Sequence, residues 1–376
     1  MGQENTIIIN GNKLSFETKE TILQIARRNN IDIPTLCYLK GAAPTGKCRV
    51  CVVKIQGQDD LVSACETPGT NNMVVSAQSP EVIQARRATI EKLLGSGNHN
   101  CALCYSRDKD WTEFQLKVQD TDKTKELCPV WGDCRLQDLA FQYQAVCDDY
   151  SHAKTYETET VNPFIIRDFS RCIGCGRCVQ ACNDIQVNNV IKPGDNEESP
   201  KVVTIKNKTL KDSDCVFCGE CVQACPVGAL VEKDPRYDVR PWETKKIRTT
   251  CSYCGVGCQI FLHVKDNKVV KVSGVEDAVP NYGSLCVKGR FGFDFINSEK
   301  RLTTPLIKER GKFRKATWDE AINKVASTFS NIIDEYGSDS IGVLTSARVT
   351  NEENYIAHKF TRAVLKTNNI DHCARL

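Results

Sequence analysis

Residues 172–183 read CIGCGRCVQACN, and residues 215–226 read CVFCGECVQACP. Both segments have the spacing C-x2-C-x2-C-x3-C and the tripeptide VQA, so the chain contains an internal repeat. The third and fourth cysteines of each run open a helix, which folds the thiols around a compact space. Cysteines grouped at such short spacings are metal or cluster ligands, and this run is an iron–sulfur pattern. The whole chain of 376 residues carries 22 cysteines against 5 histidines and 2 methionines. The rest of the composition is ordinary. Lys and Arg total 50, Asp and Glu 47, and the net charge of +3 argues against nucleic-acid binding through bulk charge. No apolar run is long enough for a transmembrane helix, so no membrane contact is expected. MGQENTIIIN at the start lacks the basic and apolar regions of a signal peptide. A cytoplasmic chain is expected, and its cysteines should not form a disulfide framework.

Further cysteine blocks lie on either side of the repeat. Towards the N-terminus, Cys37, Cys48, Cys51 and Cys65 are spaced C-x10-C-x2-C-x13-C. The segment GAAPTGKC (41–48) is rich in small residues, which lets backbone N–H groups approach inorganic sulfur. The reading is one 2Fe–2S cluster. Zinc, the alternative, usually takes two CxxC pairs, and this block has one. A second block holds His99, Cys101, Cys104, Cys128 and Cys134, five candidates for four positions of a 4Fe–4S cluster; the four cysteines are the reading, with His99 as the substitute for Cys128 and zinc again the alternative. Cys147 has no partner at ligand spacing and reads as a buried thiol. Beyond the repeat, Cys251, Cys254, Cys258 and Cys286 form a block spaced C-x2-C-x3-C-x27-C.

Local patterns fill in the scaffold. TIIINGNKLS (6–15) predicts a hairpin turning at Asn10-Gly11. Helices are expected over 20–29, 80–94 and 318–336, and strands over 50–55, 73–76 and 340–345. Residues 105–127 read as a polar surface insertion, and DPRYDVRPWETKKIR (234–248) as a linker.

These blocks carry resemblances. The repeat resembles the bacterial two-cluster ferredoxins, in which three cysteines of a run hold one 4Fe–4S cluster and the fourth ligates the other. That implies Cys172, Cys175 and Cys178 with Cys225, and Cys215, Cys218 and Cys221 with Cys182. Asn183 stands where the pattern has proline, while Pro226 keeps it. The first block resembles the N-terminal ferredoxin domain of complex I's large iron–sulfur subunit. Relatives of that subunit carry His-x3-C-x2-C-x5-C at the second block. Here His99 lies one residue from Cys101, and 23 residues separate Cys104 from Cys128. CSYCGVGC with SLCVKGR resembles the cluster domain of molybdenum/tungsten bis-pterin oxidoreductases. There the Lys matching Lys288 links cluster and pterin electrostatically.

Taken together, the chain resembles the N-terminal part of a cytoplasmic formate dehydrogenase α subunit, through GRFGFDFINSEKRLTTPLI (289–307) and SARVTNEENYIAHKFTRAVLKTNNIDHCARL (346–376). The resemblance implies an α+β multidomain chain. Residues 1–79 would form a β-grasp 2Fe–2S domain and 80–160 a His/Cys cluster domain. A two-cluster ferredoxin-like domain would span 161–240 and a bis-pterin-type 4Fe–4S domain 245–300, with 301–376 opening an α/β molybdopterin oxidoreductase domain. It implies one 2Fe–2S and four 4Fe–4S clusters, with a molybdenum or tungsten bis-molybdopterin guanine dinucleotide only in a longer chain. Formate would be oxidised there to CO2. Electrons would pass from the Cys251 cluster through the repeat, then the Cys101 and Cys37 clusters, to a NAD(P)- or ferredoxin-reducing iron–sulfur or flavin partner. No nucleotide-binding glycine loop is present, so NAD(P) is assigned to that partner. A non-catalytic electron-transfer subunit of a complex I-like or hydrogenase-type assembly is the alternative. The resemblance also implies that a Cys or selenocysteine metal ligand follows Leu376, with Cys373 structural; an in-frame UGA encoding selenocysteine is expected there, and an arbitrary fragment or a split gene is the alternative. No catalytic residue is then expected within the 376 residues, and this chain alone is expected not to oxidise formate.

Overall fold

The computed structural model describes residues 5–97, 99, 128–147, 153–195, 201–233 and 239–372. Cys101, Cys104, Cys373 and the insertion at 105–127 lie outside them. The chain divides into two compact units, residues 1–245 and 246–376.

The first unit begins with the expected hairpin, β1 (Thr6–Ile9) and β2 (Asn12–Ser15), turning on Asn10 and Gly11 with positive φ. Helix α1 (Ile22–Arg28) follows. Thr21 caps it and Gln24 returns a bond to the cap backbone, so the first turn leaves few unpaired N–H groups. β3 (Val52–Ile55), β4 (Leu61–Ser63) and β5 (Met73–Ser76) complete a five-stranded sheet in the order β2-β1-β5-β3-β4. β1 runs parallel to β5 and the other pairs are antiparallel. Alternate residues Ile7, Ile9, Val53, Ile55 and Val75 point to the face covered by Ile22, Leu23, Ile25 and Ala26 of α1. Cys51 and Cys65 belong to the same core, so one half of the first cysteine block is fixed by apolar packing.

Helix α2 (Pro80–Gly95) starts at the Ser79 cap and packs on α3 (Arg135–Tyr143). Arg86 joins them to the sheet. Its guanidinium is 2% exposed and donates to Val52 O at 2.8 Å and to the Tyr143 hydroxyl at 3.1 Å. Beyond α3 the elements shorten: β6 (Ile165–Arg167), α4 (Arg177–Gln180), β7 (Ile191–Pro193), β8 (Val202–Thr204), α5 (Glu220–Ala224) and β9 (Leu230–Glu232). β6 pairs with β9 and β7 with β8, each antiparallel. A π-helical turn at Ala181–Ile185 extends α4.

In the second unit β10 (Lys245–Thr250), β11 (Gln259–Lys265) and β12 (Lys268–Gly274) form a three-stranded sheet, followed by α6 (Val287–Phe291). A hairpin of β13 (Leu306–Glu309) and β14 (Lys312–Lys315) leads to α7 (Trp318–Tyr336). Then come β15 (Val343–Thr345), α8 (Asn351–Ala363) and β16 (Ile370–His372), with β15 and β16 parallel. The strand expected over 340–345 is shorter because Ser338–Ser340 takes a 3-10 turn. The apolar side of α7 (Trp318, Ile322, Val325, Phe329) borders an open cavity of about 480 Å3 with Phe360, Val364 and Leu365. Among the described residues no helix is long and apolar enough to cross a membrane.

Candidate metal centres

The repeat gives the clearest geometry. Cys172, Cys175 and Cys178 line one cavity with Cys225, which comes from the other run. The rest of its wall is mostly apolar, including Phe169, Val202 and Leu230. Cys182 bears electrostatically on Cys215 and Cys221, and Cys218 acts on both. Cys225 thus lines a cavity with the opposite run, and Cys182 bears on the thiols of the other. The two loops repeat in detail. Gly174 N–H donates to Cys172 Sγ at 3.4 Å, and Phe217 N–H donates to Cys215 Sγ at 3.4 Å. Gly174 and Phe217 both hold positive φ, which turns the N–H back on the sulfur. Phe217 keeps this strained conformation while packing edge-to-face on Phe164, with centroids 6.1 Å apart.

In the first block, Cys37, Cys48, Cys51 and Cys65 are all buried. Hydrogen bonds from Cys48 and then Cys65 hold the Cys37 thiol at about 2, and Cys65 holds Cys51 at about 7. Cys48 and Cys65 are pushed up in return, through the same bonds. Four thiols sharing hydrogen bonds in one small space are an arrangement that cations would relieve. Gly46 in the surrounding loop has φ +57°, and a Cβ there would overlap the Glu66 carboxylate. This loop also touches the repeat: Gln180 Nε2 of α4 donates to Ala43 O.

In the second block, His99, Cys128 and Cys134 are buried, and Cys101 and Cys104 lie outside the described residues. Burial, then the charges of Arg171 and Lys201, push the His99 imidazole down to about 3, so the ring is neutral. Its Nε2 has no hydrogen-bond partner among the described residues. A neutral, buried, unpartnered imidazole nitrogen fits a metal ligand. Arg171 Nη1 lies 3.9 Å from Cys128 Sγ, and Arg240 Nη1 donates to Cys128 O at 2.9 Å. Arg135 N–H donates to Pro226 O at 2.9 Å, so the Cys128–Cys134 loop lies against the chain just after Cys225. Cys147 is buried, as expected of a packed thiol.

In the second unit, Cys251 N–H donates to Cys258 O at 2.8 Å, closing the CSYCGVGC loop. Cys286 caps α6, and a methyl group at Gly289 of that helix would stand 3.7 Å from Cys251 Sγ. Asn281 fixes the loop before Cys286: it accepts from Gln259 N at 2.7 Å and donates to Gln259 O and Ser284 O. Lys288 is exposed on α6.

Burial raises the thiols of Cys172, Cys178, Cys215, Cys221, Cys251 and Cys258, and it takes Cys134 and Cys175 to about 12. The protein alone thus disfavours the thiolates, and bound iron is the charge that would offset this. Among the described residues no three His, Cys, Asp or Glu side chains converge as a single-ion site. The sequence had pointed to the cysteines and His99. It gave no sign of Arg171, Arg240 or Gln180, since single polar residues far apart in sequence leave no periodic pattern.

Comparison with known proteins agrees with this order of sites. Residues 2–80 match a 2Fe-2S iron-sulfur cluster binding domain, and 171–229 match a 4Fe-4S dicluster domain. Residues 244–298 match a molybdopterin oxidoreductase Fe4S4 domain, and 301–376 match a molybdopterin oxidoreductase. "Probable oxidoreductase YjgC" of Bacillus subtilis is 32% identical over 100% of this chain and 40% of its own length. "Putative formate dehydrogenase YrhE" of the same organism is 31% identical over 98% of this chain and 40% of its own length. The chain therefore spans about two-fifths of the curated relatives it matches. A chain in the crystal structure of an NAD+-reducing nickel–iron hydrogenase in the H2-reduced state shares the fold over 62% of this chain and 90% of its own. Its TM-score is 0.50 at 23% identity. With 2Fe–2S, dicluster, Fe4S4 and molybdopterin oxidoreductase matches in this order, this is an iron–sulfur chain with molybdopterin oxidoreductase domains, similar over nearly its whole length to part of a putative formate dehydrogenase.

Proposed function

We propose that this chain is the electron-carrying portion of a formate dehydrogenase, moving electrons between a pterin–metal centre and a separate NAD(P)- or ferredoxin-reducing subunit. The observation that carries this reading is the seating of two other cysteine blocks on the repeat. The loop that wraps Cys48 meets α4 through Gln180 and Ala43. The loop from Cys128 to Cys134 meets the Cys225 segment through Arg135 and Pro226. The dicluster domain is then a hub, and α4 offers the Cys37 centre a direct approach from it. Iron–sulfur clusters supply one-electron exchange at potentials that their surroundings set. The protein buries Cys37, Cys48, Cys51, Cys65, Cys172, Cys175 and Cys178, aims the N–H groups of Gly174 and Phe217 at Cys172 and Cys215, and keeps His99 neutral.

The assigned ligands are Cys37, Cys48, Cys51 and Cys65 for a 2Fe–2S cluster in a β-grasp domain. The 4Fe–4S sets are Cys172, Cys175, Cys178 with Cys225; Cys215, Cys218, Cys221 with Cys182; and Cys251, Cys254, Cys258 with Cys286. Four of His99, Cys101, Cys104, Cys128 and Cys134 would supply one further cluster, and Lys288 would link the Cys251 cluster electrostatically to a pterin. Anaerobic reconstitution is expected to load about 18 iron atoms per chain. A value near 10 with bound zinc would count against this assignment. Cys182→Ser is expected to disturb the EPR signal also disturbed by Cys215→Ser, and to spare the one changed by Cys172→Ser. A shared signal for Cys182 and Cys172 would exclude the exchange of fourth ligands.

The fold shared with the hydrogenase chain favours a second reading, a carrier with no substrate of its own. Formate decides between the two. Assembled with a pterin–metal centre, the chain should have its clusters reduced by formate in the first case and only by a partner subunit in the second.

A further inference from the structure

Cys128 lies between two buried guanidiniums. Arg171 approaches its sulfur at 3.9 Å, and Arg240 holds its carbonyl at 2.9 Å. Arg240 is 3% exposed, and its Nε and Nη2 have no hydrogen-bond partner among the described residues. Arg171 is 9% exposed and pairs through Nε with Asp168 at 3.0 Å. Two cations in a water-poor site, one with donors to spare, suit a centre that gains negative charge. Trp242 packs over Gly132 inside the Cys128–Cys134 loop, and so fixes the Arg240 segment on that loop. Arg171 also directly precedes Cys172, and Lys201 Nζ donates to Cys172 O at 2.6 Å.

We propose that Arg171 and Arg240 form a cationic clamp that raises the reduction potential of the cluster held by the His99–Cys128–Cys134 group. Arg171 extends the effect to the neighbouring Cys172 centre. The inference rests on reading that group as a cluster site. Reduction adds one negative charge to the cluster, and each buried cation nearby favours the reduced form.

The test is an EPR-monitored redox titration of the reconstituted full chain, using the signal that Cys134→Ser removes. In Arg240→Gln, the reduced-to-oxidised ratio of this signal at a fixed potential should fall about tenfold, which is about 59 mV for a one-electron couple. The Cys251 centre should be unchanged. Arg171→Gln should act likewise and also lower the Cys172 centre by a smaller factor. The Lys variants should retain most of the wild-type ratio. Asp168→Asn leaves Arg171 less neutralised and should move the ratio the opposite way. Should a Gln variant fail to load iron, the Lys variants and Asp168→Asn still decide the matter. A ratio that ignores Arg→Gln, that falls as far with Lys as with Gln, or that falls in Asp168→Asn overturns the clamp alone. If no signal disappears in Cys134→Ser, the cluster reading of this group is wrong, and the clamp falls with it.

Discussion

Removing iron with a chelator is expected to unfold the segment from Phe164 to Leu230 while the N-terminal five-stranded sheet persists. The strands of this segment have three residues each and its α-helices four or five, lengths that do not hold their shape in water alone. The sheet, by contrast, encloses its own core of Ile7, Ile9, Ile22, Leu23, Ile25 and Val53. Far-UV circular dichroism should show a large partial loss. Amide exchange should show lost protection in 164–230 and retained protection in β1, β3 and β5. A native-like cooperative melt of the whole iron-free chain would contradict this. The thiols set the pH dependence. Cys134, outside that segment, ionises at about 12 in the fold against an ordinary value of 9.0. What structure remains without iron should therefore be stable below pH 9 and lose stability as pH climbs from 9 towards 12, because the unfolded chain ionises first. Loading iron at neutral pH must release these thiol protons, so loading should become more favourable as pH rises.

Gly274→Ala is expected to abolish the Cys251 centre and spare the others. A Cβ at position 274 would lie 1.9 Å from the carbonyl oxygen of Gly283, and no side-chain rotation relieves a clash with backbone. β12 pairs at Gly274 with Ile260, so the strand cannot retreat without opening the sheet. The loop must move instead, and it carries Leu285 and Cys286. Overpacking of this kind costs about 1–3 kcal/mol, more where backbone must shift. The variant should bind about four fewer iron atoms than wild type. Full iron content in Gly274→Ala would contradict the account.

Some elements could be read directly from the sequence. The β1–β2 hairpin follows from Asn10-Gly11 between β-rich runs, and α7 spans the expected residues because its apolar spacing is long and regular. The cysteine sets were legible because ligand spacing is short-range. Other features are set by long-range contacts that spacing does not encode. Arg86, a charged residue beside Arg87 in the sequence, is buried as a strut between sheet and helices. The seating of Ala43 on Gln180 joins residues 137 positions apart. The π-helical turn at Ala181–Ile185 contains Cys182, beside which Asn183 replaces a helix-ending proline, and Asn183 Nδ2 donates to Ile191 O at 3.1 Å.

The cavity shared by Cys172, Cys175, Cys178 and Cys225 has an evolutionary consequence. When a duplicated segment keeps its function within each copy, one copy can decay while the other carries on. In the proposed exchange of fourth ligands, each half depends on a residue encoded in the other. Deleting either copy would strip a wall residue from the survivor's site as well, so neither can be lost by itself. Selection therefore acts on the pair as one heritable unit. The freedom left to it lies between the cysteines, where VFCGE has already drifted from IGCGR while the frame around it stays fixed.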